Sequence, residues 1–179
     1  MRVRIETADA ENLPFADGCF DVVLSTFGAM FAPDQERTAR EMLRVVRSGG
    51  RIGMANWTPE GFIGRLFKLI GGRLPPPAGV KSPALWGTES RIVELFGARA
   101  EDIRCVRREF NFRYRSPGHW LQVLRDYYGP THKAFAALDD GAQAGLAADI
   151  TALLGELNVA GEGSLVVPAE YLEVVVETV

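Results

Sequence analysis

Apolar positions in this chain alternate between short unbroken runs and longer stretches where they recur every three or four residues. The clearest run is FDVVLST at 20–26, where Val22, Val23 and Leu24 stand together after an Asp17-Gly18 turn. A continuous run of this length is what a parallel strand covered on both faces requires, so it predicts a strand inside a sheet. In the stretch that follows, PDQERTAREMLRVV, residues Ala39, Met42, Leu43 and Val46 form one stripe at helical spacing. Pro33 suits the first turn, Asp34 and Glu36 suit the positive end of the helix dipole, and Gly49-Gly50 suits its end. RIGMANW at 51–57 then predicts a second firm strand, and a strand–helix–strand crossover makes the two strands parallel neighbours. Upstream, Val3 and Ile5 share one face of VRIETA at 3–8 and predict a short opening strand.

The second half continues with different spacing. Thr58-Pro59-Glu60 offers a cap, a proline and an acid, so a helix is expected from there to Gly71-Gly72 with Phe62, Leu66, Phe67 and Ile70 inward. Pro75-Pro76-Pro77 stiffens the next loop, and Thr88 caps a helix that runs through Phe96 to Gly97. Alternation of Phe110, Phe112 and Tyr114 with Asn111 and Arg113 marks a strand at about 103–114. From Ser116 to Leu157 the pattern is helical, broken at Gly129-Pro130 and at Asp139-Asp140-Gly141. A last strand spans about 164–177, where Pro168 marks a bulge or an edge, and Gly161-Glu162-Gly163 before it reads as a hairpin turn. The expected fold class is α/β: an incomplete doubly wound, Rossmann-like sheet with a helical cap insertion, in one domain over 1–179. Residues 1–75 would be core, 116–157 cap and 158–179 the final strand. Ligands on such sheets sit at the carboxyl ends of the strands, which directs attention to residues 8–12, 25–31 and 55–61.

Composition narrows the function classes. Hydrophobic residues are 47% and charged residues 24% of the 179, an ordinary globular balance. A net charge of −3 with no block of Lys and Arg argues against nucleic-acid binding. Cys19 and Cys105 are isolated, so neither a disulfide framework nor a metal site is expected, which suits a reducing cytoplasm. The opening MRVRIETADAENLPF has no apolar run that would address the chain to a membrane.

ADAENLPFADGCFDVVLSTFGAMF at 8–31, followed by EMLRVVRSGGRIGMANW at 41–57, resembles the second half of a class I S-adenosylmethionine-dependent methyltransferase core of the small-molecule type. The matching positions are Asp9-Ala10, Leu13-Pro14-Phe15, Phe20-Asp21-Val22-Val23 and Arg47-Ser48-Gly49-Gly50, with Ser48 in place of the usual proline. The resemblance implies S-adenosylmethionine as cofactor. It makes Asp9 the acceptor of the adenine amino proton, puts the backbone of Ala10 beside a ring nitrogen with Glu11 next to it, and sets Ser25, Thr26 and Phe27 near the sulfonium end. A short acid followed by a small residue suits a ring edge that offers a donor beside an acceptor.

The glycine-rich turn of that family, E/D-x-G-x-G-x-G, occurs nowhere in the sequence, so the chain is expected to be N-terminally truncated, with weak or absent cofactor binding. Whether Met1 is the true start is open. In the family's sheet order, loss of the first strand would leave the Val22–Leu24 strand with an open edge. Three outcomes are expected to compete: residues 3–8 close against 21–26, a second copy or partner chain pairs there, or the chain is unstable alone.

Methyl transfer depends chiefly on positioning, and a base is needed only for a protonated nucleophile. His119, in the first turn of a helix capped by Ser116, and Glu170 are candidate bases. Trp57, Trp86, His119, Tyr128 and Tyr171 are candidate walls of a pocket for a small-molecule acceptor, since aromatic side chains supply broad faces with a few polar handles. Each of them also has an ordinary core or surface reading. The competing functional reading is an inactive methyltransferase-like remnant that binds a partner.

Overall fold

The computed structural model describes residues 3–161 and 163–179. Its strands are β1 (Phe20–Thr26), β2 (Val46–Trp57), β3 (Ala100–Tyr114) and β4 (Leu165–Thr178). Its helices are α1 (Gln35–Val45), α2 (Phe62–Arg73), α3 (Glu89–Phe96), α4 (Pro117–Tyr127), α5 (Gly129–Ala136) and α6 (Asp140–Leu157). The sheet order is β1-β2-β4-β3.

β1 and β2 are parallel, with Leu24 opposite Gly53 and Thr26 opposite Ala55. The Thr178 hydroxyl donates to the carbonyls of Arg47 (2.9 Å) and Gly50 (3.2 Å), which sets the end of β4 beside the start of β2. The Val179 N–H donates to the Arg99 carbonyl at 3.2 Å, which sets the same end beside the start of β3. β4 therefore runs against both neighbours, and the sheet is mixed. The fold is α/β and Rossmann-like.

The contacts divide the chain into two compact units. The first holds the stretch ending at Trp57, together with Val80–Arg107 and Leu172–Val179. Its core is the α1 stripe of Ala39, Met42, Leu43 and Val45, with Ile52 and Met54 of β2 and with Trp86, Ile92 and Phe96. The second holds Thr58–Gly79 and Arg108–Tyr171, so α2 joins the helical block. There Phe62, Phe112 and Trp120 meet edge to face, with Trp120 centred 5.3 Å from Phe62, and Leu146, Ile150 and Leu154 are buried in the same unit.

Local signals placed most elements. Asp34 caps α1, accepting from the Arg37 N–H, and Thr88, Ser116 and Asp139 cap α3, α4 and α6 in the same way. Gly18 takes φ +60° and its N–H donates to the Arg44 carbonyl, closing the turn before β1.

Four expectations are corrected. Residues 3–8 form no strand, and Ile5 is 91% exposed. Two apolar side chains with no adjacent strand bury too little to fix an extended segment. It follows that these residues do not close against 21–26, and β1 remains at the end of the sheet. Pro33 lies before α1, and Pro59 precedes α2, which starts at Phe62, because Thr58 Oγ1 spends its acceptor on the Gly61 N–H. β2 begins directly after α1 at Val46, so Gly49-Gly50 lie within the strand and Gly49, at φ +66°, bends it. β4 lies between β2 and β3, so Pro168 is on an inner strand. The inward–outward alternation of β4 slips by one residue at Glu170-Tyr171. The Gly161–Gly163 turn includes Glu162, which lies outside the described residues.

Candidate ligand site at the carboxyl ends of the parallel strands

The site is built from the turn at 9–12 and the ends of β1 and β2. Asp9 Oδ1 accepts from the Glu11 N–H at 2.9 Å, and the Asp9 carbonyl accepts from the Asn12 N–H at 3.0 Å, so the turn is tied to itself. Glu11 then ties it to α1: its carboxylate accepts from the N–H of Asp34, the α1 cap, and its carbonyl accepts from Arg37 Nε. Because α1 starts where the chain has just left β1, the acidic turn lies at the carboxyl end of β1. From there the chain runs back along α1. Glu41 accepts from the Leu13 N–H, and Arg44 donates to the carbonyls of Leu13 and Phe15 and to Asp17.

Arg44 also donates from Nε and Nη2 to both oxygens of Glu41. That fork holds the Glu41 carboxyl down at about 2, with the Leu13 N–H and nearby cations adding to it against the opposing effect of burial.

At the end of β1, Ser25 Oγ accepts from the Ala29 N–H and so shapes the following turn. Phe27 has φ +56°, and its N–H donates to the Ala55 carbonyl at 2.9 Å. Its ring stacks on Trp57 at the end of β2, with centroids 4.0 Å apart and planes 13° from parallel. Asp9-Ala10, Ser25–Phe27 and Trp57 thus all belong to the carboxyl end of the β1–β2 pair.

The other candidate residues do not join them in one described place. Trp86 is fully buried and meets Phe96 edge to face, as a core residue does. His119, Tyr128, Glu170 and Tyr171 belong to the second unit. His119 Nδ1 accepts from the Arg115 N–H at 3.4 Å, and its ring meets Tyr114. Burial pushes the Tyr128 phenol up to about 12, which keeps it protonated across the neutral range. The Glu170 carbonyl accepts from both the N–H and the hydroxyl of Thr58, so this residue contributes backbone to the local frame. Among the described residues no group of three or more His, Cys, Asp and Glu could hold a metal ion. None of the described helices is long and apolar enough to cross a membrane.

Two features lay outside the sequence reading. One is the Glu41–Arg44 fork, whose partners are backbone groups about thirty positions away. The other is Asn56, fully buried near the end of β2. A lone amide in the run MANW was the available signal for it.

A family model for the methyltransferase domain matches residues 1–54. Residues 1–54 are a stretch of the methyltransferase-domain family. Two uncharacterized proteins of Mycobacterium tuberculosis are similar over most of its length. One is 42% identical over 153 residues, covering 83% of this chain and 56% of the relative. The other is 37% identical over 177 residues, covering 96% of this chain and 63% of the relative. The chain therefore spans less than two thirds of the length of these relatives. The ubiquinone/menaquinone biosynthesis C-methyltransferase of Idiomarina loihiensis is 48% identical over 50 residues, 28% of this chain and 20% of that one. In fold, the YcgJ protein of Bacillus subtilis superposes with a TM-score of 0.57 at 18% identity, covering 98% of this chain and 70% of that one. A Bacillus halodurans protein assigned as a methyltransferase gives 0.55 at 16% identity, covering 95% of this chain and 69% of that one. These similarities extend the family's Rossmann-like fold over nearly the whole chain.

Proposed function

We propose that this chain carries the adenine side of a methyltransferase site and takes part in methyl transfer from S-adenosylmethionine to a small-molecule acceptor in the cytoplasm. The observation that carries this reading is the acidic turn at 9–12, anchored to the α1 cap beside the ends of β1 and β2. The residues there fit an adenine edge. Asp9 Oδ1 accepts from the Glu11 N–H, which fixes the carboxylate within its turn, and the neighbouring Ala10 is small enough to let a ring approach the backbone.

When bound, the cofactor supplies an electrophilic methyl group on a sulfonium. The chain's part is to bind and orient. Asp9 and Ala10 hold the ring edge with Glu11 fixing their turn, Ser25 and Thr26 border the sulfonium end, and Phe27 on Trp57 presents an aromatic surface that excludes water.

Calorimetry with S-adenosylmethionine tests this. Micromolar binding that falls about tenfold in Asp9→Ala, the loss expected for one hydrogen bond to a charged group, supports the reading. Binding that is millimolar or undetectable, or indifferent to Asp9→Ala, overturns it.

A second reading has its own observation. β1 ends the sheet, and its Val22 and Leu24 are 51% and 75% exposed, so the strand offers a free edge beside apolar surface. A methyltransferase-like remnant that pairs there with another copy or a partner chain would use the same fold without catalysis.

A further inference from the structure

A cleft of about 760 Å³ opens at the amino ends of the strands, the end of the sheet opposite the acidic turn. It is framed by the Asp17-Gly18 turn before β1, the last turns of α1, the start of β2 and Arg99 just before β3, all within the first compact unit. Backbone bonds fix this frame: the Gly18 N–H donates to the Arg44 carbonyl, and the Val179 N–H donates to the Arg99 carbonyl. Three guanidiniums line the cleft, those of Arg40, Arg44 and Arg99, against the two carboxylates of Asp17 and Glu41. Arg44 answers both acids, donating to each Glu41 oxygen and to Asp17. Among the described residues, the Arg40 and Arg99 guanidiniums have no ion-pair or hydrogen-bond partner, whereas Arg47 and Arg51, also at this end, are paired with Asp21 and Glu177. Leu43 and Val46 in the lining are buried, and an apolar wall beside a charge strengthens its field. Ser48, where the methyltransferase pattern has proline, adds a hydroxyl donor to the same lining.

We propose that this cleft is a second ligand site, one that takes a small phosphate monoester by its phosphoryl group through Arg40 and Arg99. The chain as a whole carries a net charge of −3, so a lining with an excess of cations is a local feature and not the general character of the surface. A guanidinium presents a planar fork of N–H donors that matches phosphoryl oxygens, and it stays charged across the neutral range. Two guanidiniums on separate elements call for an acceptor whose oxygens face more than one way. A phosphoryl group offers three such oxygens and a charge of about −1.5 to −2, whereas a carboxylate offers two oxygens in one plane and a single charge. A free phosphate ion would leave most of the cleft unfilled, which points to an ester whose organic part rests on Leu43 and Val46. The site is independent of the methyl-donor reading, because it lies at the other end of β1 and β2.

The test is backbone amide NMR of the whole chain at low salt, titrated in separate series with phenyl phosphate, inorganic phosphate and benzoate. The expected result is saturable shifts at the Gly18, Ser48 and Arg99 amides with phenyl phosphate, which binds at least about tenfold more tightly than benzoate and more tightly than inorganic phosphate. Arg40→Gln and Arg99→Gln should each weaken phenyl phosphate about tenfold or more, the loss expected for one hydrogen bond to a charged group. Arg113→Gln, which removes an exposed arginine of the second unit, should leave the affinity unchanged. Equal affinity for benzoate overturns the proposal, as do inorganic phosphate binding as tightly as the ester, absence of shifts at the three amides, and an Arg113→Gln loss that matches Arg40→Gln. Arg40→Lys and Arg99→Lys keep the charge without the fork and should fall between the natural chain and the Gln variants. If a Gln variant has a lowered thermal midpoint, the Lys variants carry the comparison. Because no S-adenosylmethionine is used, failure here leaves the calorimetric test of cofactor binding standing, and the reverse also holds.

Discussion

Phe27 and Trp57 stack with ring centroids 4.0 Å apart, and the backbone that makes this contact is left-handed at Phe27, φ +56°. A bulky residue in that region costs roughly 1–2 kcal/mol, so the stack is held against local strain. Phe27→Ala keeps the strained backbone and loses the contact, whereas Phe27→Gly loses the contact and relieves the strain. Denaturant unfolding should therefore find Phe27→Gly more stable than Phe27→Ala by about 1 kcal/mol, the reverse of the usual order of these residues.

The Glu41–Arg44 fork sets an acid-side dependence. Glu41 titrates near 2 in the folded chain against an ordinary value of 4.5, so its contribution is complete above 4.5 and lost as pH falls toward 2. Thermal midpoints measured from pH 6 down to pH 2 should fall less steeply in Glu41→Gln than in the natural chain. Arg44→Met should remove the same slope and speed amide exchange at Leu13, whose N–H donates to Glu41.

At Gly64 in α2, an added Cβ would collide with the carbonyl oxygens of Thr58 and Pro59. Backbone atoms yield less readily than side-chain tips, so Gly64→Ala should destabilise the fold by about 1–3 kcal/mol despite the better helix propensity of alanine. Gly71→Ala, which meets nothing within 4 Å, is the control and should be neutral or stabilising in the same chemical unfolding assay.

The open edge of β1 predicts concentration-dependent association. Light scattering across a dilution series should show a mass that rises with concentration, and Leu24→Lys should abolish the rise while leaving the thermal midpoint nearly unchanged. A natural chain that stays monomeric at every concentration removes the case for pairing between copies.

Much of this protein is decided by local sequence. The run at 22–24 gives β1, the stripe Ala39–Met42–Leu43 gives α1, Asp17-Gly18 gives the turn between them and the acidic segment, and Thr88, Ser116 and Asp139 start their helices where they stand. Each of these depends on interactions within a few residues, so periodicity and capping chemistry suffice to read them. The segments at 8–31 and 41–57 were legible for the same reason, because each motif is contiguous and lies almost wholly within the 1–54 match.

Tertiary structure decided the rest. Val3 and Ile5 have the spacing of a strand but no neighbouring strand to complete it, and Pro168 has the marks of an edge yet lies on an inner strand. The anchoring of the acidic turn to Asp34 and Arg37, the backing of residues 13–17 by Glu41 and Arg44, and the unpartnered amide of Asn56 all depend on groups tens of residues apart or on burial itself. A single sequence shows which side chains are able to make such bonds. Only the folded chain, by bringing distant backbone and side-chain groups within 3 Å or excluding water from them, settles which bonds form.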